Sequence, residues 1–340
     1  MIKFRLASFN LALLIITLGC TQTVEENQQA DNSDPLPSWT AGPTKSAIIQ
    51  YVKTVTDDNS PDYISIPERL AVFDNDGTLW SEQPMYFQLA MAIQQVKEIA
   101  PEHPEWQEKE SFKAILEDDF EAFAATGVHG ILEIVMATHA GRTTEEFSAS
   151  TLKWINSAKH PRFDRLYKEL VYQPMLELLD YLRANNFKVF IVSGGGIDFM
   201  RSFAEEAYGI PANQIIGSSI KSAFEMTATG PVIRKLPEID FIDDKEGKPV
   251  AINKHIGRRP VFCAGNSDGD LAMMQWTAAG SKKSFMLYVH HTDAEREWAY
   301  DRESPIGRFD KALDYAQEKQ WTIVDMKNDW QVIYPFDRAE

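Results

Sequence analysis

The sequence predicts an α/β fold, a doubly wound parallel sheet with a helical segment inserted after its first strand. Three observations predict it. Apolar, β-rich runs at 69–74, 187–192 and 260–264 each stop at a polar or glycine-bearing turn, and strands buried on both faces of a parallel sheet read as such continuous runs. Residues 81–169 carry little strand character and hold several helical stretches. An amphipathic helix at 174–186 then leads into the 187–192 run, the alternation that right-handed crossovers require.

The 340 residues are 44% hydrophobic and 25% charged, a globular composition sufficient for one large or two smaller domains. A formal net charge of −16 with no basic run argues against a nucleic-acid partner, which needs a basic footprint. No internal repeat is present.

Lys3 and Arg5 precede Leu11–Ile16, and Leu18-Gly19-Cys20 follows. A basic start, a short apolar run and a small residue before the break describe an export signal. The run is too short to span a bilayer. Gly19-Cys20 resembles a bacterial lipoprotein cleavage site, in which the cysteine becomes lipidated. Residues 1–20 are therefore read as a lipoprotein-type leader. The chain is expected to be exported in a bacterium, and to be membrane-anchored through Cys20 or periplasmic. Residues 21–43, polar and Pro/Gly-bearing, read as a flexible tether. The second cysteine, Cys263, lies in an apolar strand and reads as a buried free thiol.

A helix is expected at 44–55, with Ala47, Ile48, Ile49 and Val52 apolar. The strand at 69–74 ends in Asp74, followed by Asp76 and a turn at Gly77-Thr78. Two carboxylates two residues apart on extended chain can face one pocket, and ligands bind outside the carboxyl ends of such strands. Held that close, they favour a cation between them. Helices are expected at 84–100, 105–126, 130–140 and 143–158, the last signalled by Thr144, Glu145 and Glu146. Phe112, Ile115, Phe120 and Phe123 read as the core of this insert.

The strand at 187–192 ends in Ser193-Gly194-Gly195-Gly196 before a helix-like stretch. A hydroxyl and bare backbone entering a helix suit an anion such as phosphate. Residues 214–236 read as a small hairpin or edge strands. Lys248, at the start of a short helix, can serve phosphate as a point charge, with Lys245 and Lys254 as rivals. The strand at 260–264 leads into Gly265-Asn266-Ser267-Asp268-Gly269-Asp270, a second acidic loop at a strand edge. Oxygen ligands from two such loops suit magnesium. A strand at 284–289 ends in His290-His291, read as polar rim residues because no further ligands complete a closed metal site. A helix at 307–319 and a strand at 321–324 follow. Trp80, Trp298 and Trp330 read as core or interface aromatics.

Asp74-Asn75-Asp76-Gly77-Thr78, then Ser193-Gly194-Gly195, a lysine, and Gly265-Asn266-x-x-x-Asp270 resemble the ordered motif set of the haloacid dehalogenase superfamily, over roughly 66–280. The SGGG form resembles its phosphoserine-phosphatase-like branch. The resemblance implies a catalytic core of 44–80 and 170–340 with a helical cap domain at 81–169. It implies a magnesium-dependent phosphomonoester hydrolase acting on a small phosphorylated metabolite. Asp74 would be the nucleophile, forming an aspartyl-phosphate, and Asp76 the acid and base. Ser193, Gly194 and Lys248 would bind phosphate, and Asp74, Asp76 (also through its main-chain carbonyl), Asn266 and Asp270 the Mg2+. The chain departs from the family in one place: Asn266 stands where the family usually keeps an aspartate that ligates magnesium. An amide brings no charge, so Asn266→Asp is expected to tighten magnesium binding.

Two other readings follow from the same residues. A carbon–halogen hydrolase would use Asp74 without a leaving-group acid, and Asp76 argues against it. A catalytically weak ligand-binding surface lipoprotein is favoured only by Asn266. Glu82 lies one residue off the spacing at which phosphoserine phosphatases hold the substrate amine, and reads as an ordinary acidic residue of the cap hinge. Substrate identity and oligomeric state are not legible.

Overall fold

The winding of the central sheet fixes where the site lies. The structure, a computed structural model, describes residues 34–337. The leader, Cys20 and most of the expected tether lie outside these residues. The strands are β1 (Leu70–Phe73), β2 (Lys188–Gly196), β3 (Ile215–Thr227), β4 (Gly230–Phe241), β5 (Phe262–Gly265), β6 (Phe285–Thr292), β7 (Ala299–Tyr300) and β8 (Thr322–Asp325). Their order is β4-β3-β2-β1-β5-β6-β7, with β8 on β6. β1, β2, β3, β5, β6 and β8 pair in parallel, whereas β4 and β7 are antiparallel to their neighbours. This is an α/β fold with a mostly parallel sheet. β2 and β3 lie on one side of β1, and β5, β6 and β8 on the other. The winding therefore reverses at β1, and its carboxyl end is where an open sheet of this kind binds ligands.

Helices cover both faces. They are α1 (Pro43–Thr56), α2 (Phe87–Ile99), α3 (Glu110–Leu116), α4 (Phe120–Ala125), α5 (Gly127–His139), α6 (Thr144–Ile155), α7 (Gln173–Ala184), α8 (Ile197–Arg201), α9 (Ala204–Tyr208), α10 (Gly247–His255), α11 (Leu271–Ala278), α12 (Lys311–Glu318) and α13 (Met326–Asp329). Side chains alternate along β1. Ala71 and Phe73 join Ile48, Val52, Leu178 and Leu182 of α1 and α7, while Val72 joins Ile252, Met273 and Leu313 of α10, α11 and α12. All four β1 residues are buried, which is why the strand reads as an unbroken apolar run.

Between β1 and β2 the named elements are all helical. α2 to α5 enclose a third core built on Ile93, Phe112, Ile115, Phe123 and Ile134. Phe120, expected in that core, is exposed at the start of α4. α6 is capped by Thr143 rather than Thr144. The Thr143 hydroxyl accepts from the Glu146 amide and the Glu146 carboxylate accepts from the Thr143 amide, a reciprocal cap.

Two other expectations change. The expected tether does not run to 43: Leu36 and Trp39 are fully buried, and Ser38 donates to Glu177 from both its amide and its hydroxyl at 2.8 and 2.7 Å. A short polar stretch hides two anchoring side chains, which composition alone does not register. The 214–236 segment is a longer pair of strands. β3 begins as a parallel neighbour of β2 and continues as a hairpin with β4, whose contacts reach α5 and α6 of the insert.

Candidate active site

Pairing within the sheet brings three loops to one level. Phe73 pairs with Ile191 of β2 and Ala264 of β5. Asp74 and Asn266, just past the ends of β1 and β5, and Ser193, within β2, therefore lie at the same edge of three neighbouring strands. A cavity of about 350 Å3 opens there, lined by Asp74, Asp76, Ser193, Gly194 and Lys248 among others. These are five of the seven residues singled out from the sequence. Asn266 and Asp270 stand one layer behind and are buried: Asp270 accepts from Lys248 of that set, and the Asn266 amide donates to Asp270.

Lys248 ties the loops together. Its ammonium donates to Asp74 Oδ1 at 2.6 Å, to Asp270 Oδ1 at 2.6 Å and to the Val192 carbonyl at 3.0 Å. Lys245 and Lys254, its rivals, are exposed. Burial works against the Lys248 ammonium, but Asp270 and Asp74 outweigh it and hold its pKa above the ordinary lysine value. Burial pushes the Asp74 carboxyl up, Lys248 pulls it down, and Asp270 and Asp76 push it up again. Asp270 accepts from the Asn266 and Ser267 amides through Oδ2, at 3.0 and 3.1 Å. Both of its oxygens are thus engaged in holding the loop and Lys248.

The turn after β1 aims Asp76 back at the cavity. The Trp80 indole N–H donates to Asp76 Oδ1 at 2.7 Å. Burial raises the Asp76 pKa to about 6, against the Trp80 hydrogen bond and the Lys248 charge. Gly77 has φ 72°, a conformation that disfavours side chains. A Cβ there would also collide with Asn266 and Glu82. The Gly77 carbonyl accepts from His291 Nε2 at 2.8 Å, so His291 braces the turn from behind. His290 instead faces Asp301, at 3.4 Å.

The glycine loop differs from expectation in one respect. β2 runs on through Gly196, and the helix after it is only five residues long. The Ser193 hydroxyl accepts from the Gly195 amide at 3.1 Å. Gly196 donates to Gln88 Oε1 at 2.7 Å, and a Cβ at 196 would press on the Gln88 amide. The Gln88 amide nitrogen sits 3.1 Å from His139 Nε2, and His139 Nδ1 lies 2.8 Å from the Thr138 hydroxyl. Burial and the nearby Lys235 and Arg142 lower the His139 pKa to about 3, so the ring is neutral and accepts from Gln88. A hydrogen-bonded chain thus links the glycine loop to α5 of the insert.

Sequence reasoning missed four participants. Trp80 read as plain core, yet it holds Asp76. Glu82 read as a hinge acid, yet it is buried, accepts from Asn266 Nδ2 at 2.7 Å and from the Tyr300 hydroxyl at 2.7 Å. Burial is the main cause that pushes its pKa well up, with Asp76, Asp74 and Glu297 adding to it and Tyr300 opposing. Gln88 and His139 carry no motif. The only sequence signal was the nearness of Trp80 and Glu82 to Asp76.

The donor set fits a hard cation. Asp74 and Asp270 pair with the Lys248 ammonium, and the buried carboxyls of Asp76 and Glu82 lie close enough to Asp74 to feel its charge or act on it. Such an excess of buried negative charge is relieved by protons or by a bound cation. Among the described residues no three of His, Cys, Asp or Glu converge closely enough to cage a metal. A cation here would keep waters and take substrate oxygens, as magnesium does.

A family model described as haloacid dehalogenase-like hydrolase matches residues 71–275, more than half of the chain. A solved structure of a conserved protein of unknown function from Anaerococcus prevotii is similar, with 18% identity, 87% of this chain and 95% of that chain covered, and a TM-score of 0.54. One of unknown function from Bordetella pertussis aligns at 15% identity over 76% of this chain and 99% of that one, with a TM-score of 0.48. A phosphoserine phosphohydrolase-like protein from Francisella tularensis aligns at 18% identity over 65% and 87%, with a TM-score of 0.37. The first likeness bears on the fold alone, and the other two are too loose to add to it. A search of curated proteins finds no match.

Proposed function

We propose that this chain, which belongs to the haloacid dehalogenase-like hydrolase family, is a phosphomonoesterase that works through an aspartyl-phosphate on Asp74. The observation that carries the reading is the pair Asp74 and Asp76 at one cavity: one carboxylate against Lys248, the other with its pKa raised to about 6. The first suits a nucleophile. The second suits a group that must give and then take a proton near neutrality.

Lys248 holds Asp74 Oδ1, which leaves Oδ2 for in-line attack on phosphorus. As the new O–P bond forms, the bond from phosphorus to the leaving oxygen breaks, and protonated Asp76 gives that oxygen its proton. Asp76 then takes a proton from water as the water attacks the phosphorus. The Asp74–phosphorus bond breaks and inorganic phosphate leaves. Ser193, the Gly194 amide and Lys248 balance charge on the phosphoryl oxygens. A magnesium ion held by Asp74, the Asp76 carbonyl and Asn266, with Asp270 behind them, would offset repulsion between nucleophile and phosphate.

The leaving group is a small alcohol of a phosphorylated metabolite with an apolar part. Leu89, Ile131, Val135, Met136 and Ile220 line the cavity beyond the carboxylates. Glu82 is hydrogen-bonded to Asn266 and Tyr300 rather than offered to a substrate amine. A carbon–halogen hydrolase has no use for Asp76 as an acid. The test is inorganic phosphate release from a panel of phosphomonoesters by residues 34–340, with and without a chelator. Release that the chelator stops supports the reading. A protein that releases halide, or nothing, overturns it.

We also propose that Cys20 carries lipid and tethers the enzyme outside the cytoplasmic membrane. The leader and the polar stretch after it support this. Among the described residues no helix is long and apolar enough to cross a membrane.

A further inference from the structure

We propose that Asp198 and Lys235 form a specificity subsite for a hydroxyl group on the leaving alcohol, so that phosphomonoesters of diols or polyols are preferred over those of plain alcohols. The inference rests on the phosphatase reading and deepens it to a substrate class. Both residues line the cavity that holds Asp74 and Asp76, and neither belongs to a motif read from the sequence.

Lys235 lies on β4 and is 2% exposed. Its ammonium donates to Asp198 Oδ2 and sits 5.2 Å from the centre of the Phe147 ring. Among the described residues Asp198 is its one hydrogen-bond partner. An ammonium carries three donors, and burying one with donors unused is costly. Lys248, the other lysine of this cavity, engages three acceptors: Asp74, Asp270 and the Val192 carbonyl. Lys235 therefore has donors to spare for whatever enters. Asp198 has capacity to spare as well. Lys235 engages its Oδ2, and its Oδ1 has no partner among the described residues.

The pair is held in register with the site. Asp198 sits in α8, two residues beyond Gly196, and so at a fixed offset from Ser193 and Gly194, where phosphate is expected. Lys235 pairs with Ser222 across the hairpin. Its amide donates to the Arg142 carbonyl and its carbonyl accepts from the Gly141 amide, both at 2.9 Å. The main chain of Lys235 is thus bonded on both sides, and the ammonium hangs from a rigid support.

The chemistry of the pair selects the ligand. A second anion on the substrate would meet the Asp198 carboxylate, and an ammonium would meet Lys235. A hydroxyl suits both, because it donates to Asp198 and accepts from Lys235. Leu89, Ile131, Val135, Met136 and Ile220 in the same wall take the carbon skeleton.

The test is a set of matched esters: monophosphates of short α,ω-diols of increasing length, and alkyl phosphates in which a methyl replaces the free hydroxyl. Wild type is expected to favour the diol ester by about 10- to 100-fold in kcat/KM at the best length. In Lys235→Met, which keeps the stem beside Phe147 and loses the donors, the ratio is expected to fall to near one. If Lys235→Met does not fold, Asp198→Ala, at a partly exposed position, decides by the same ratio. Binding of the same esters to Asp74→Asn, followed by titration calorimetry, reads the subsite without turnover. Equal use of both esters by wild type, or a preference kept in the folded variant, overturns the inference. A wild type that releases no phosphate, beside tighter binding of the diol ester that Lys235→Met abolishes, removes the phosphatase reading and leaves the subsite standing. Phosphate released equally from both series does the opposite.

Discussion

The Trp80 indole N–H donates to Asp76 Oδ1 at 2.7 Å across the turn that follows the two carboxylates. Trp80 is fully buried and stacks on Phe203 at 4.7 Å between ring centroids, so the donor cannot swing away. Its hydrogen bond favours the ionised form of Asp76 against burial, and the balance leaves the pKa at about 6. Trp80→Phe removes the donor, so the Asp76 pKa is expected to rise. The acid needed in the first step then survives to higher pH, and the alkaline limb of the kcat profile moves upward. An unmoved limb in a folded variant would mean that Asp76 is not the proton donor.

Asp76→Asn should lower kcat by roughly 10²- to 10⁴-fold, the usual worth of a positioned acid. The loss should be smallest for substrates with good leaving groups, such as aryl phosphates, because these depart without a proton. An equal loss for alkyl and aryl phosphates counts against the assignment.

Lys248 pairs with both Asp74 and Asp270, and it is 2% exposed. Removing one partner of a buried ion pair typically costs about 3–5 kcal/mol. Lys248→Met is expected to destabilise the protein by that order at pH 7, read by urea denaturation. The loss should shrink as pH falls and Asp74, whose carboxyl is pushed up by burial, takes a proton.

Asp243 lies buried beside this cluster, and burial raises its pKa to about 7, against the pull of Lys248. The sign follows from proton counting. Between the ordinary carboxylate value near 4 and the folded value near 7, the unfolded chain has released a proton that the folded chain keeps. This group's contribution to stability is therefore full at low pH and lost as pH rises through 7. Asp243→Asn should match wild type near pH 4 and exceed it above pH 7, by on the order of 2–4 kcal/mol. Denaturation curves at the two pH values check this.

Much of the fold was legible because β1 and β5 are buried on both faces and so leave unbroken apolar runs. Asp74, Asp76, Ser193 and Lys248, which line one cavity, were legible because polar residues of those types follow or flank apolar strand runs. What escaped were contacts made across the fold. Glu82 meets Asn266 and Tyr300 from 184 and 218 positions away, and nothing in its local sequence marks it. Trp39 was hidden by its polar neighbours, and β3 by the register in which it first joins β2. The length of β2 was hidden because three glycines read as a turn, while pairing between Gly196 and Ser218 carries the strand on.

Cys20→Ser should block maturation or release the protein as a soluble form, since a multiply acylated cysteine anchors stably while a single chain holds only marginally. Fractionation of cells expressing wild type and variant reads this out. Both appearing in the soluble exported fraction would make the leader a plain secretory signal.

The central claim is a covalent phosphoryl group on Asp74. Borohydride added during turnover of a phosphomonoester in the presence of Mg2+ reduces an aspartyl-phosphate to homoserine, and peptide mass mapping locates it. The account predicts homoserine at position 74 alone, its absence without substrate, and complete loss of turnover in Asp74→Asn, a fall of more than about a thousandfold, with the fold retained. Continued turnover by Asp74→Asn, or trapping at another residue, would contradict it.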